Sequence, residues 1–289
     1  MTAQFTDYAE NKLIDFMRGQ GLTLPTNWFV ALGSAADDTS FTELSGTGYA
    51  RQSVARSLAN WAGTQAAGST TASTGTSHTS SNNSAISWGN PGSAWGTANY
   101  VGIFDASTSG NCWMWFPITP IVITTGSPNP VQILAGGLSF SLGITGGMSD
   151  YLSNKLVDLL MRAQAFTWPA TLYLAAYTVA PSNAGGGTEV AVGGYARVAL
   201  VPSLTSLSGT QAAGSTTASS GTGGRTSNNA SLTYPAPTAD QGTWVAEGIL
   251  DAISTGNLLW WHALTASRTV SNGGAAPSHA ANTLGITLD

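Results

Sequence analysis

The sequence predicts an all-β protein: two tandem antiparallel β-sandwich domains, each preceded by one short amphipathic helix. Three observations carry that prediction. The eleven letters GTQAAGSTTAS occupy positions 63–73 and return unchanged at 209–219, half a chain length away, so one module is written twice. Short aromatic and aliphatic runs recur at regular spacing between turns rich in Gly, Pro, Ser and Asn, which favours an antiparallel sandwich over a parallel sheet. Charged residues make up 8% of the chain, against about 25% in an ordinary soluble domain. The 10 Trp, 8 Tyr and 8 Phe argue against disorder, because disordered chains are poor in aromatics. The expected domains are 1–146 and 147–289, joined at Gly146-Gly147, each long enough to bury a core of its own.

Each module opens on a helix, TDYAENKLIDFMRGQ from Thr6 and SDYLSNKLVDLLMRAQ from Ser149. Ala9, Leu13 and Phe16, and again Leu152, Leu156 and Leu159, fall at i, i+4, i+7 and form one apolar stripe. Thr6 and Ser149 are natural N-caps, with Asp7 and Asp150 in the first turn. Lys12 with Asp15, and Lys155 with Asp158, stand at i, i+3 and read as surface ion pairs. The first helix is expected to end near Gly19, and Pro25 and Pro169 mark the turn into the next element.

The strand-like runs Asn27–Gly33 and Thr171–Thr178 follow, then loops that end on GYAR at 48–51 and 194–197. Alternation puts each Tyr and its Arg on one face of a second strand. The Ser/Thr/Gly/Ala tract comes next, ending in SNN at 81–83 and 227–229. It lacks large side chains, so it is either a mobile loop or an arm that orders only against a neighbour. Short strands at Ala85–Trp88 and Ser231–Tyr234 lead to the best-kept long match, GTANYVGIFDASTSGN against GTWVAEGILDAISTGN. Its Asp105/Asp251 and Gly110/Gly256 predict a hairpin in which the carboxylate holds loop amides and the Gly takes positive φ. The return strands are Cys112–Thr119 and Leu258–Thr265. The halves close on Leu142–Thr145 and Leu284–Asp289, for about seven strands each.

Chemistry is scarce. No HExxH, P-loop, EF-hand loop or cysteine pair is present. No residue is singled out as catalytic, cofactor-binding or metal-binding, and no cofactor is expected. His78 stands where the second copy has Gly224, and His262 where the first has Phe116, so His262 reads as a partly buried packing residue. Cys112 is the one cysteine and its counterpart is Leu258, which suits a small core hydrophobe. Asp37-Asp38 has no acidic pair opposite it and reads as solvated loop. Asp105 and Asp251 are one residue in two modules, each serving its own turn rather than sharing a glycosidase cleft. Trp61 and Trp95 lie in or beside loops and are the best candidates for stacking on a sugar. The net charge of −5 gives no support to nucleic-acid binding. No run approaches the ~18 apolar residues of a membrane helix. The acidic start MTAQFTDYAE lacks the basic and apolar regions of a signal peptide, so export by that route is not expected.

The ordered series SDYLxNKLVDLL, PATLYLA, GGYAR, SNNASLTY, GILDAxSTGNLLWWxALT and LGITLD resembles small tailed-phage virion proteins of the "phage tail fiber protein" type. The second half matches nearly end to end and the first from Thr6 to Thr145. The resemblance implies a structural role on the particle without catalytic residues, in a family whose members are usually a single module. Two functions are therefore expected. The first is a non-enzymatic accessory virion protein that decorates or cements head or tail through contacts with the major capsid or tail protein and with copies of itself. The alternative is a fibre-type adhesin for a host surface glycan. Both put the protein on the virion.

Overall fold

A computed structural model describes residues 4–126, 130–142 and 147–288. Gly146 of the expected junction, residues 143–145 of the first LGIT run and Asp289 lie outside them. The first half holds β1 (Gln4–Phe5), α1 (Asp7–Met17), β2 (Asn27–Ala36), β3 (Phe41–Glu43), β4 (Gln52–Ala55), β5 (Thr79–Ser81), β6 (Ile86–Gly89), β7 (Gly96–Phe104), β8 (Cys112–Ile123), β9 (Val131–Ile133) and β10 (Ser139–Ser141). The second holds α2 (Asp150–Arg162), β11 (Leu172–Val179), β12 (Thr188–Glu189), β13 (Val198–Leu200), β14 (Arg225–Ser227), β15 (Leu232–Thr233), β16 (Gly242–Leu250), β17 (Leu258–Val270), β18 (Ser278–His279) and β19 (Gly285–Thr287). The fold is all-β with two helices, as the periodicity predicts. The strands exceed the expected seven per half because loop segments pair into short ribbons.

Both halves share one topology. The first has a six-stranded antiparallel sheet in the order β1-β8-β7-β2-β3, with β4 also on β2. The second repeats it as β12-β11-β16-β17 with β13 on β11. Two-stranded ribbons, β5-β10 with β6-β9 and β14-β19 with β15-β18, supply the opposing layer. Register follows the alternation of side chains. Val30 pairs with Ile103 and Ile103 with Met114, and all three side chains enter the core. Phe29 pairs with Phe104 and Phe104 with Cys112 on the opposite, outer face. Cys112 is accordingly half-buried there rather than in the core, and burial pushes its thiol pKa up to about 12.

The helices start as their caps predict. Thr6 Oγ1 accepts from the Ala9 amide at 3.4 Å and Ser149 Oγ from the Leu152 amide at 3.1 Å. The first helix ends at Arg18 with Gly19 at φ 77°; the second spans 13 residues against 11, with one residue inserted before its arginine, and ends on Ala163 at φ 54°. That extra residue turns Leu160 rather than Leu159 fully into the core. The lysine pairs read from the sequence are corrected. Lys12 and Lys155 lie over the rings of Tyr8 and Tyr151, while Asp15 and Asp158 bind Arg18 and Arg162. An arginine fork holds five N–H donors in a fixed plane and can meet a carboxylate and several carbonyls at once, where an ammonium has three donors on a flexible stem.

GYAR sits just before β4 and β13 rather than inside them, and Tyr and Arg do act together. Tyr49 Oη donates to Glu43 at 2.9 Å and Arg51 binds the same carboxylate at 2.8 Å. Arg51 also donates to the Ala106 and Ser109 carbonyls, so it fastens the Asp105 hairpin. Tyr195, Arg197, Glu189 and the Asp251 hairpin repeat every contact. In both hairpins the Asp accepts from the following Asn amide, at 2.7 and 2.6 Å, and Gly110 and Gly256 take φ 70° and 80°. The main cluster of buried apolar side chains runs unbroken from Leu13 and Trp28 to Leu156 and Trp260. The halves therefore share one core instead of burying two.

Candidate functional site: the lock between the two halves

Arg18 and Arg162 end their helices fully buried, at 0% exposure, and each enters the other half. A buried guanidinium is tolerated only when its donors are met and its charge is paired. Arg162 Nε donates to the Trp61 carbonyl at 2.9 Å. Its Nη1 binds Asp158 at 2.6 Å and Ser73 Oγ at 3.1 Å, and its Nη2 donates to the Thr71 carbonyl at 2.5 Å. Arg18 mirrors this in the second half. Nε donates to the Leu207 carbonyl at 2.9 Å, and Nη1 to Asp15 and the Thr217 carbonyl at 2.8 Å and to Ser219 Oγ at 3.2 Å. Asp158 accepts from the Ser73 amide and Asp15 from the Ser219 amide. Asn154 Nδ2 donates to the Gly75 carbonyl at 3.1 Å and Asn11 Nδ2 to the Gly221 carbonyl at 2.9 Å.

The repeated tract is the socket for these arginines. Ser69 Oγ accepts from the Gly63 amide at 2.7 Å, and Ser215 Oγ from the Gly209 amide at the same distance. Gln65 and Gln211 staple Thr71 and Thr217, each at 3.0 Å. A Cβ on Gly63 would stand 2.8 Å from Arg162 Nη1, and one on Gly209 3.0 Å from Arg18 Nη1, so only glycine leaves room for the guanidinium. Gly63, Gln65, Ser69, Thr71 and Ser73 of GTQAAGSTTAS thus have named jobs at one contact made twice. Of the two readings of the tract, the arm that orders against a neighbour holds, and the neighbour is the other half of the same chain.

The two contacts are not quite equivalent. Trp28 Nε1 and Arg56 Nε donate to the Leu160 carbonyl at 2.9 and 2.7 Å, and Arg56 Nη2 donates to Leu159, capping the last turn of α2. Partial burial lowers the Arg56 pKa. In the second half Leu172 and Pro202 hold those places and offer no side-chain donor. His78 Nε2 lies 2.6 Å from Asp150 Oδ1, whereas its counterpart Gly224 has no side chain to reach Asp7. Phe16 packs on Phe166 and Trp168 across the join.

The sugar-stacking candidates are corrected. Trp61 is 0% and Trp95 4% exposed; both rings turn into the core, and Trp95 Nε1 donates to the Thr47 carbonyl at 3.1 Å. Among the outer-face aromatics are Trp115 and Trp261, partly exposed, with indole N–H groups donating to Asp38 and Asn183 at 3.2 and 3.0 Å. An open groove of about 740 Å³ runs along α1 to Phe41, Asn111 and the tract at Ser219–Thr222; its Asp15 is already bound to Arg18. His262 is more exposed than a packing residue, with its side chain 45% accessible beside Glu247. Asp37 is exposed, and its carboxylate accepts from its own turn at Thr39 and Ser40, which lowers its pKa. Among the described residues no group of three or more His, Cys, Asp or Glu is arranged to hold a metal ion, and no helix is long and apolar enough to cross a membrane.

Sequence reasoning missed Arg18 and Arg162 as the centre of the contact. The signal was there: in a chain with nine Lys and Arg, both helices close on an Arg, three residues after Asp15 in one copy and four after Asp158 in the other. No curated protein matches the sequence. Residues 4–141 and 147–287 each match the family described as Podophage GP4 fiber I protein gp80. Two matches, related by the same buried arginines, sockets and hairpins, make this chain a tandem member of that phage fibre family.

Proposed function

We propose that the chain is a non-enzymatic accessory protein of the bacteriophage particle exterior, which decorates or cements head or tail through subunit contacts. As a member of a phage fibre family it is a virion structural protein, and the match over both halves is the observation that carries the reading. The geometry suits it. A continuous core and two buried arginine locks make one stiff body, and a surface with few charges can be covered by protein at small desolvation cost. Its partners on this reading are the major capsid or tail protein and further copies of the chain. Gold-labelled antibody on negatively stained particles tests it. Label over the head or along the tail is expected; label confined to the tail tip would overturn it.

Trp115 and Trp261 favour the second reading, an adhesin for a host surface glycan. Each presents a ring beside a hydrogen-bonding Asp or Asn at the same place in both modules, the pairing that sugar recognition uses. A glycan array on the purified chain, with Trp115→Ala and Trp261→Ala, decides it. A hit lost in both variants supports adhesion, and no hit retires it.

A further inference from the structure

Four positions of the first half form an apolar corner: Trp88 on β6, Val101 on β7, Phe116 on β8 and Ile133 on β9. Val101 pairs across the sheet with Phe116, and Ile133 pairs with Ile86, two residues before Trp88. The second half replaces all four. Glu247 pairs with His262, His279 pairs with Leu232, and Tyr234 stands where Trp88 does. Replacement of a single one would bury an unmet polar group. Replacement of all four makes a network. Tyr234 Oη donates to Glu247 Oε1 at 3.1 Å, His279 Nε2 lies 2.7 Å from Oε2, and His262 Nε2 lies 3.6 Å from the same atom. Glu247 is 3% exposed and, among the described residues, no Lys or Arg is bonded to it.

The charge of this network depends on protons alone. With both imidazoles neutral it is a buried anion. With one protonated, cation and carboxylate balance. With both protonated, one carboxylate faces two cations, and a surplus charge sits in a half-buried corner. The other ionisable groups that face it from the packed elements do not absorb that charge. Tyr195 stacks on Tyr234 at 6.0 Å and is bonded to Glu189, whose carboxylate is taken by Arg197.

We propose that Glu247, His262, His279 and Tyr234 form a proton-sensitive joint that loosens the β15-β18 and β16-β17 corner of the second half on mild acidification, with no counterpart in the first half. The corner opens as protons accumulate on its two imidazoles, and His262 is the more accessible of them, its side chain 45% exposed against 19% for His279. Burial lowers the His262 pKa, Glu247 raises it, and His279 lowers it again, for a net downward direction. The sign follows from linkage. The unfolded chain, with an imidazole near about 6.5, binds the proton more readily than the folded half. The stabilisation is complete above that value and is lost as pH falls through the lower folded one.

Hydrogen exchange on the full chain tests this with an internal control, because β6-β9 is the same ribbon without the network. Between pH 7 and pH 5, after correction for intrinsic exchange, protection of the β15-β18 and β16-β17 amides should fall about tenfold for each unit by which the folded pKa is depressed. The β6-β9 amides should not follow. His262→Phe installs the first-half residue at a half-exposed site, leaves Glu247 bonded to Tyr234 and His279, and should flatten the response. Equal behaviour of the two ribbons, or a full acid response in His262→Phe, would overturn the proposal.

Discussion

At the scale of single residues, the contacts that matter most are polar ones buried in an apolar chain. Removing one partner of a buried ion pair leaves the other charge unmet, which costs about 3–5 kcal/mol. Arg18→Ala and Arg162→Ala should each destabilise the protein by that order, read as a shift in the urea midpoint. Arg162→Lys should restore only a fraction, because one ammonium cannot serve the Trp61 and Thr71 carbonyls, Ser73 and Asp158 together. Tyr49→Phe is milder. It strips an acceptor from the Leu32 amide and a donor from Glu43, a loss of about 1–3 kcal/mol. Cys112 offers a check of a different kind. With its thiol pKa pushed up to about 12, almost no thiolate exists at pH 8. A disulfide reagent should label the native protein far more slowly than the urea-unfolded chain, and equal rates would show that the β8 edge is open.

At the scale of elements, helices and strands were legible and the tract's role was not, for physical reasons. The caps at Thr6 and Ser149, the stripe through Leu13 and Leu156, and the Asp105 and Asp251 hairpins rest on contacts within a few residues. Their chemistry is written locally. GYAR was legible as a unit, but its partners Glu43 and Glu189 lie in another strand. The tract met its partner some ninety residues along the chain in one half and about two hundred in the other. No local periodicity encodes such a pairing, and Trp61 misled for the same reason: a loop position in sequence became a core position once the tract closed over it. The near-identity of the two tracts was the one long-range hint. It follows that Gly63→Ala should cost more than Gly68→Ala, although Gly68 has φ 75° and Gly63 shows no such strain. Nothing lies near Gly68, whereas Gly63 faces the guanidinium. Thermal melts of the two variants check the order. Deletion of 63–73 and 209–219 should unfold the protein, because it strands two buried arginines.

At the scale of the whole molecule, the reciprocal locks make the chain a covalently joined pair. Each half gives a helix to the other half's socket and receives one in return, which is the pattern of an isologous interface between identical subunits. The link between the halves then raises their effective concentration rather than creating the contact. Fragments 1–142 and 147–289, expressed together without the link, should therefore associate one to one. The partners are not interchangeable. The last carbonyls of α2 are met by Trp28 and Arg56 of the first half, and a pair of second halves would put Leu172 and Pro202 there instead. Those carbonyls would be left without donors at a buried helix end. Light scattering after size exclusion should show a mixed pair, with the second fragment alone failing to form a pair of comparable stability. Arg18→Ala in one fragment combined with Arg162→Ala in the other should dissolve the mixed pair. If the mixed pair survives both substitutions, the shared core rather than the arginines holds the halves together.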